Sequence, residues 1–133
     1  WAREAGPSQP LVTCWQADDL VDITTFHCYT DPRQPGFAQD LQTALATGRP
    51  AVCTECMART VGNTLERFLL PYAEARVGWY VWGLVAGATQ TRFPWDWPAG
   101  GPEPYAWFHD LLYPDGTPYR QEEVDLIRRR SPS

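Results

Sequence analysis

The chain has 133 residues, 44% of them hydrophobic and 20% charged, and a formal net charge of −5. That is globular rather than disordered composition, and an acidic chain whose 11 basic residues are all arginine, with no basic stripe, argues against holding nucleic acid by phosphate neutralisation. No apolar run approaches the roughly 20 residues of a membrane span, and no GxGxxG or phosphate-loop motif points to a nucleotide.

The N-terminal run ending at Gly6-Pro7 reads as the last turn of a helix. Residues 10–15 (PLVTCW) are short and β-branched, and predict a first strand. Residues 16–20 make a loop. Residues 21–29 (VDITTFHCY) predict a second strand, which ends with His27 and Tyr29 on one face because strand side chains repeat every second residue. The proline-containing loop 30–36 leads to a helix over 37–47, with Phe37, Leu41, Ala44 and Leu45 at helical spacing and Gly48 as the stop.

Residues 49–56 (RPAVCTEC) predict a third strand with Glu55 near its C-terminal end, followed by a loop over 57–63. A helix over 64–75 follows, capped by Thr64 or Asn63 and blemished by Pro71, which should kink it. Residues 77–85 (VGWYVWGLV) predict a fourth strand, and a long loop over 86–104 is rich in Gly, Pro and Trp. A short helix over 104–112, a Pro114-Asp115-Gly116 turn and an amphipathic helix over 122–130 complete the chain. Arg128, Arg129 and Arg130 there read as a solvated end rather than a binding patch. Strands alternating with helices, the strands mostly apolar, argue for α/β architecture with about four parallel strands in one domain spanning residues 1–133.

Four cysteines at this length do not make a disulfide framework. Cys53 and Cys56 have CxxC spacing without a second pair, and within a regular strand they should point to opposite faces. Reduced, mostly buried thiols are the expectation, with no metal and no cofactor. Burial in the core explains some of the seven tryptophans, and flat rings lining a groove are also what sugars stack on.

In parallel α/β folds functional groups gather at the C-terminal ends of strands and in the loops that follow. That rule singles out Trp15, His27, Tyr29, Glu55, Trp82 and the loop carrying Gln90. A glutamate between apolar strand positions must face a polar cavity or find a buried partner. Glu55 therefore reads either as an ion pair with Arg49, Arg59 or Arg92, or as a carboxylate nucleophile at an anomeric carbon.

These residues resemble a known family. Residues 49–59 (RPAVCTECMAR) look like the seventh strand of clan A, family 5-like glycoside hydrolases of the cellulase and β-1,4-xylanase type, where the nucleophile ends the strand. Residues 78–85 resemble the eighth strand of those (β/α)8 TIM barrels, and residues 22–29 the sixth with its His-x-Tyr end. Residues 10–15 would then be the fifth. The segment from Trp107-Phe108-His109-Asp110 to Ile127 resembles their C-terminal ends.

The resemblance implies the C-terminal half of a barrel acting on a plant-type β-glycan. Glu55 would be the nucleophile, Tyr29 its hydrogen-bond partner and His27 a sugar contact or positioning group. Trp82 would be the stacking platform, with Trp15, Gln90, Trp95 and Trp97 as groove walls. His27 reads equally well as a core histidine, Trp95 and Trp97 as loop packing, and His109 and Asp110 as structural residues of a closing helix. The family's acid/base lies in an Asn-Glu motif on strand four, which this sequence lacks, and Asp18, Asp19 and Asp31 are the carboxylates that follow strand ends. The partners expected are an oligo- or polysaccharide, and either a chain supplying strands one to four or a second copy. The alternative is a non-catalytic carbohydrate-binding or scaffold half-barrel.

Overall fold

The computed structural model describes residues 2–14 and 20–130. Its centre is a parallel sheet of three strands in the order β1-β2-β3: β1 (Thr24–His27), β2 (Ala51–Cys56) and β3 (Gly78–Val81). Helix α1 (Pro35–Leu45) links β1 to β2, helix α2 (Leu65–Glu74) links β2 to β3, and α3 (Gln121–Arg130) follows a long irregular segment. Parallel neighbours require such crossovers. Both crossover helices pack on the same face of the sheet, where Phe37 and Ala44 of α1 meet Leu65, Phe68, Leu69 and Tyr72 of α2 in one core with Cys28, Ala51, Cys53 and Cys56.

The helices form where local chemistry permits. Pro35 opens α1, where its fixed φ is already helical and its missing N–H would have had no partner. Gly48, at φ +70°, ends the following turn as expected, its N–H donating to the carbonyl of Leu45. Helix α2 runs through Pro71 and starts after Thr64, whose side chain makes no cap bond. Asn63 does not cap it either. Its amide ties two loops together, donating to Thr30 O at 2.7 Å and accepting from Met57 N at 2.7 Å.

Two expected elements are absent. Residues 10–14 of the expected first strand form no ladder, and Trp15 lies outside the described residues, as do Asp18 and Asp19. Pro10 has no N–H to offer a ladder. Beyond it, Leu11 is held mainly by Asp22, whose carboxylate accepts from Leu11 N at 2.8 Å while its N–H donates to Leu11 O at 2.9 Å, with Ile23 N donating to the same carbonyl at 3.4 Å. The expected helix over 104–112 does not form because its backbone groups are claimed from outside. Phe108 and His109 donate to the carbonyls of Arg92 and Thr91, and Leu111 and Leu112 to that of Leu84.

The third correction concerns β2. Phe26 pairs with Cys53 and His27 with Glu55, so Thr54 is an extra residue, and the register against β3 shifts over the same stretch. A bulge of this kind resets the alternation of faces. Cys53 and Cys56 therefore both enter the helix-covered core, instead of pointing to opposite faces, and both are fully buried. Cys28, Cys53 and Cys56 are free thiols. Burial pushes Cys28 up to about 11, and hydrogen bonding to Cys53 together with burial holds Cys56 protonated, so neither is a poised nucleophile.

Candidate functional site

The same bulge turns Glu55 away from the core. It emerges at the end of β2 beside His27 at the end of β1. Tyr29, two residues further along, donates its hydroxyl to Glu55 Oε2 at 2.9 Å, and His27 Nδ1 lies 3.3 Å from the same oxygen. The Tyr29 hydroxyl thus holds Oε2, with the His27 ring beside it. Among the described residues Oε1 has no partner, and the side chain is 21% exposed. One oxygen is anchored and the other presented. Tyr29 is held protonated by burial and by the adjacent carboxylate, which fixes it as the donor in this pair.

Two of the three alternative partners for Glu55, Arg59 and Arg92, are committed elsewhere. The guanidinium of Arg59 is buried against Glu123, with Nε to Oε1 at 2.8 Å and an Nη to Oε2 at 2.5 Å. It also donates to the carbonyls of Trp107 and Asp110. Arg92 pairs with Glu103. Asp31 is excluded as an unengaged acid, because Arg33 and Arg67 both bond its carboxylate and hold it at about 2.

Beyond β3 an open groove of about 400 Å³ is walled by Trp82, Gln90, Phe93, Trp95, Asp96 and Trp97, with His109 against it. Trp82, Gln90 and Trp95 were expected from the sequence, and the fold brings them together. A smaller cavity of about 150 Å³ shares Gln90, Phe93 and Trp97 with it and continues along the 98–101 loop. Trp82 and Trp95 are about half exposed. The ring of Trp95 stands edge-on to Tyr29 at 5.0 Å between centroids and to Phe108 at 4.6 Å, which connects the groove to the Glu55 cluster.

His109 is the residue the sequence reading missed. Assigned to a helix, it looked structural. With residues 107–110 irregular instead, its ring lies 5.5 Å from that of Tyr29 and 5.9 Å from that of Trp95. Its Nδ1 lies 2.5 Å from Met57 O. A carbonyl only accepts, so Nδ1 carries the proton. Burial lowers the pKa of the ring and keeps it neutral, which leaves Nε2 an acceptor. Met57 presents that carbonyl from a left-handed conformation, φ 75°, that a non-glycine residue rarely adopts. Its N–H on Asn63 and its carbonyl under His109 hold the strained turn between them. The signal available in the sequence was the run of Trp107, Phe108, His109 and Asp110, which has no helical alternation of apolar and polar residues.

Among the described residues no group of three or more His, Cys, Asp or Glu side chains is arranged to hold a metal ion, and no helix is long and apolar enough to cross a membrane. Comparisons with family models, with curated proteins and with solved structures found no match to this chain.

Proposed function

We propose that this chain is the C-terminal half of a (β/α)8-barrel glycoside hydrolase of the family 5-like type, cleaving β-glycosidic bonds in a plant-type β-glycan with Glu55 as nucleophile. The observation that carries the reading is the state of Glu55: Oε2 is anchored by Tyr29 with His27 beside it, and among the described residues Oε1 has no partner. A carboxylate nucleophile needs that asymmetry, with one oxygen oriented and the other's lone pair aimed at the anomeric carbon. The adjoining groove of indole rings is the surface on which a pyranose stacks.

The half-barrel is supported by topology. Three parallel strands in sequential order carry both crossover helices on one face, which is the winding of a barrel wall. The opposite face, with Val52, Glu55 and Tyr80, would be the barrel interior, and Tyr80 is 66% exposed there. A second set of strands, from another chain or a second copy, would cover it. A second reading, sugar binding without turnover, draws on one observation: the polar partners of Glu55 among the described residues are a phenol and an imidazole rather than a second carboxylate.

The test is intact-mass spectrometry after incubation with a panel of dinitrophenyl 2-deoxy-2-fluoro-β-glycosides. Dinitrophenolate departs without protonation, so the trap reads the nucleophile alone. The expected result is a mass increase of one fluorosugar that Glu55→Gln abolishes. A folded chain that never labels, yet binds oligosaccharide through Trp82, would refute the hydrolytic reading in favour of binding.

A further inference from the structure

We propose that His109 is a specificity residue of the groove, its Nε2 accepting a hydrogen bond from one hydroxyl of the sugar ring held beside Trp82 and Trp95. The inference rests on the sugar-binding part of the reading above and does not need Glu55 to turn over.

The argument starts from what the imidazole has and lacks. Its side chain belongs to a residue only 2% exposed, yet it lines the groove. Nδ1 donates to the carbonyl of Met57, and among the described residues Nε2 has no partner. The buried polar side-chain atoms sealed without a partner are the hydroxyls of Thr64 and Tyr72. Nε2 is not among these sealed atoms, and His109 lines the groove. A ligand that displaces water from this acceptor keeps affinity only if it brings a donor of its own. Sugar hydroxyls are such donors.

The position is also rigid, as a selective contact requires. His109 N donates to Thr91 O at 3.1 Å. The next residue, Asp110, is fully buried, with the Thr91 hydroxyl on its carboxylate at 2.8 and 2.9 Å and Arg59 on its carbonyl. Gly83 lets the segment approach, because a Cβ there would come within 2.8 Å of His109 Cβ and 2.5 Å of Asp110 Oδ1. Tyr29, Trp95 and Phe108 surround the ring. The imidazole is thus fixed from several sides at the wall of the groove. A site built to bond a hydroxyl rejects the analogue that lacks it far more strongly than an apolar pocket rejects an added methylene.

Two substitutions separate the two ring nitrogens. In His109→Asn the amide reaches the place of Nδ1 and keeps the bond to Met57, but nothing reaches the place of Nε2. In His109→Gln the amide oxygen reaches the place of Nε2. The measurement is titration calorimetry of the chain with cellotriose, xylotriose and mannotriose, then with the monodeoxy and deoxyfluoro derivatives of the tightest. Wild type should lose about tenfold in affinity at one hydroxyl position, for the deoxy and deoxyfluoro sugars alike, since fluorine accepts but does not donate. His109→Asn should reduce that difference to within about twofold, and His109→Gln should retain part of it. The proposal is overturned if the difference persists in His109→Asn, or if folded wild type binds none of the three sugars. Sugar discrimination that depends on His109 in a chain whose Glu55 never labels would support this inference and sink the hydrolytic one.

Discussion

The Arg59–Glu123 pair joins the end of β2 to α3 across the segment that carries His109, and removing its anionic partner tests how the site is held. Both side chains are almost fully buried, 2% and 3% exposed. Arg59 directs all its nitrogens inward, to both oxygens of Glu123 and to the carbonyls of Trp107 and Asp110, with the Tyr119 ring 5.1 Å from its guanidinium carbon. Glu123→Gln keeps shape and volume while deleting the charge. At an effective dielectric of about 20 the direct attraction is roughly 4 kcal/mol, and an uncompensated charge left in the interior costs about 3–5 kcal/mol. Arg120, 3.8 Å from Glu123 and 39% exposed, is solvated and adds little.

The expected loss is therefore about 3–5 kcal/mol, a large share of the 5–15 kcal/mol that holds a typical domain. Urea unfolding followed by tryptophan fluorescence, with the slope held constant, reads it as a shift in midpoint. The decisive variant is the double change Arg59→Met with Glu123→Leu. It removes both charges and leaves only the Trp107 and Asp110 carbonyls without a donor, at roughly 1 kcal/mol each. The double variant should be more stable than Glu123→Gln alone. A Glu123→Gln loss below about 1 kcal/mol, or a double variant no more stable than Glu123→Gln, would refute the view that a buried charge pair anchors the 107–110 segment.

Two further outcomes follow from single groups. The carboxyl of Asp31 is held at about 2 in the folded chain by Arg33 and Arg67, below its unfolded value of about 3.9. Its contribution is present above about pH 4 and lost as pH falls towards 2, so urea midpoints of wild type and Asp31→Asn should converge over that window, and a constant gap would contradict the assignment. Gly83→Ala places a methyl against the backbone of Asp110 and the Cβ of His109. It should lower stability by roughly 1–3 kcal/mol and weaken trisaccharide binding, whereas unchanged binding in calorimetry would detach His109 from the groove.

The sequence made the α/β alternation, both crossover helices and the Glu55, His27 and Tyr29 cluster legible, because strand ends and helix stops are local properties. Gly48 acts within a few residues, and the two-residue step from His27 to Tyr29 survives folding, whereas Pro35, read as loop, opens α1. What was not legible depended on partners far along the chain. Residues 104–112 have enough helical character to read as a helix, but Thr91, Arg92 and Leu84 take their N–H groups, and Arg59 takes carbonyls of residues 107 and 110. No local pattern announces that competition. The first strand was misread for a related reason: β-branched residues mark strand propensity, while pairing needs a neighbour, and Leu11 finds Asp22 instead.

The bulge in β2 shows why local pattern could find Glu55 and still misplace its neighbours. The strand must supply Ala51, Cys53 and Cys56 to a core sealed by Phe68 and Tyr72, and in strict alternation Glu55 would point into that core while Cys56 pointed away. An unpaired carboxylate among those side chains would be costly or would protonate. Inserting Thr54 changes the phase once, so residues before it obey one alternation and residues after it the other. The thiols then stay in the apolar layer and the carboxylate reaches His27 and Tyr29. The register that carries the core and the register that carries the chemistry are thus different, and the strand switches between them one residue before the carboxylate. Met57 completes the switch, since its left-handed backbone points one carbonyl at His109 and so links the strand that bears Glu55 to the wall of the groove.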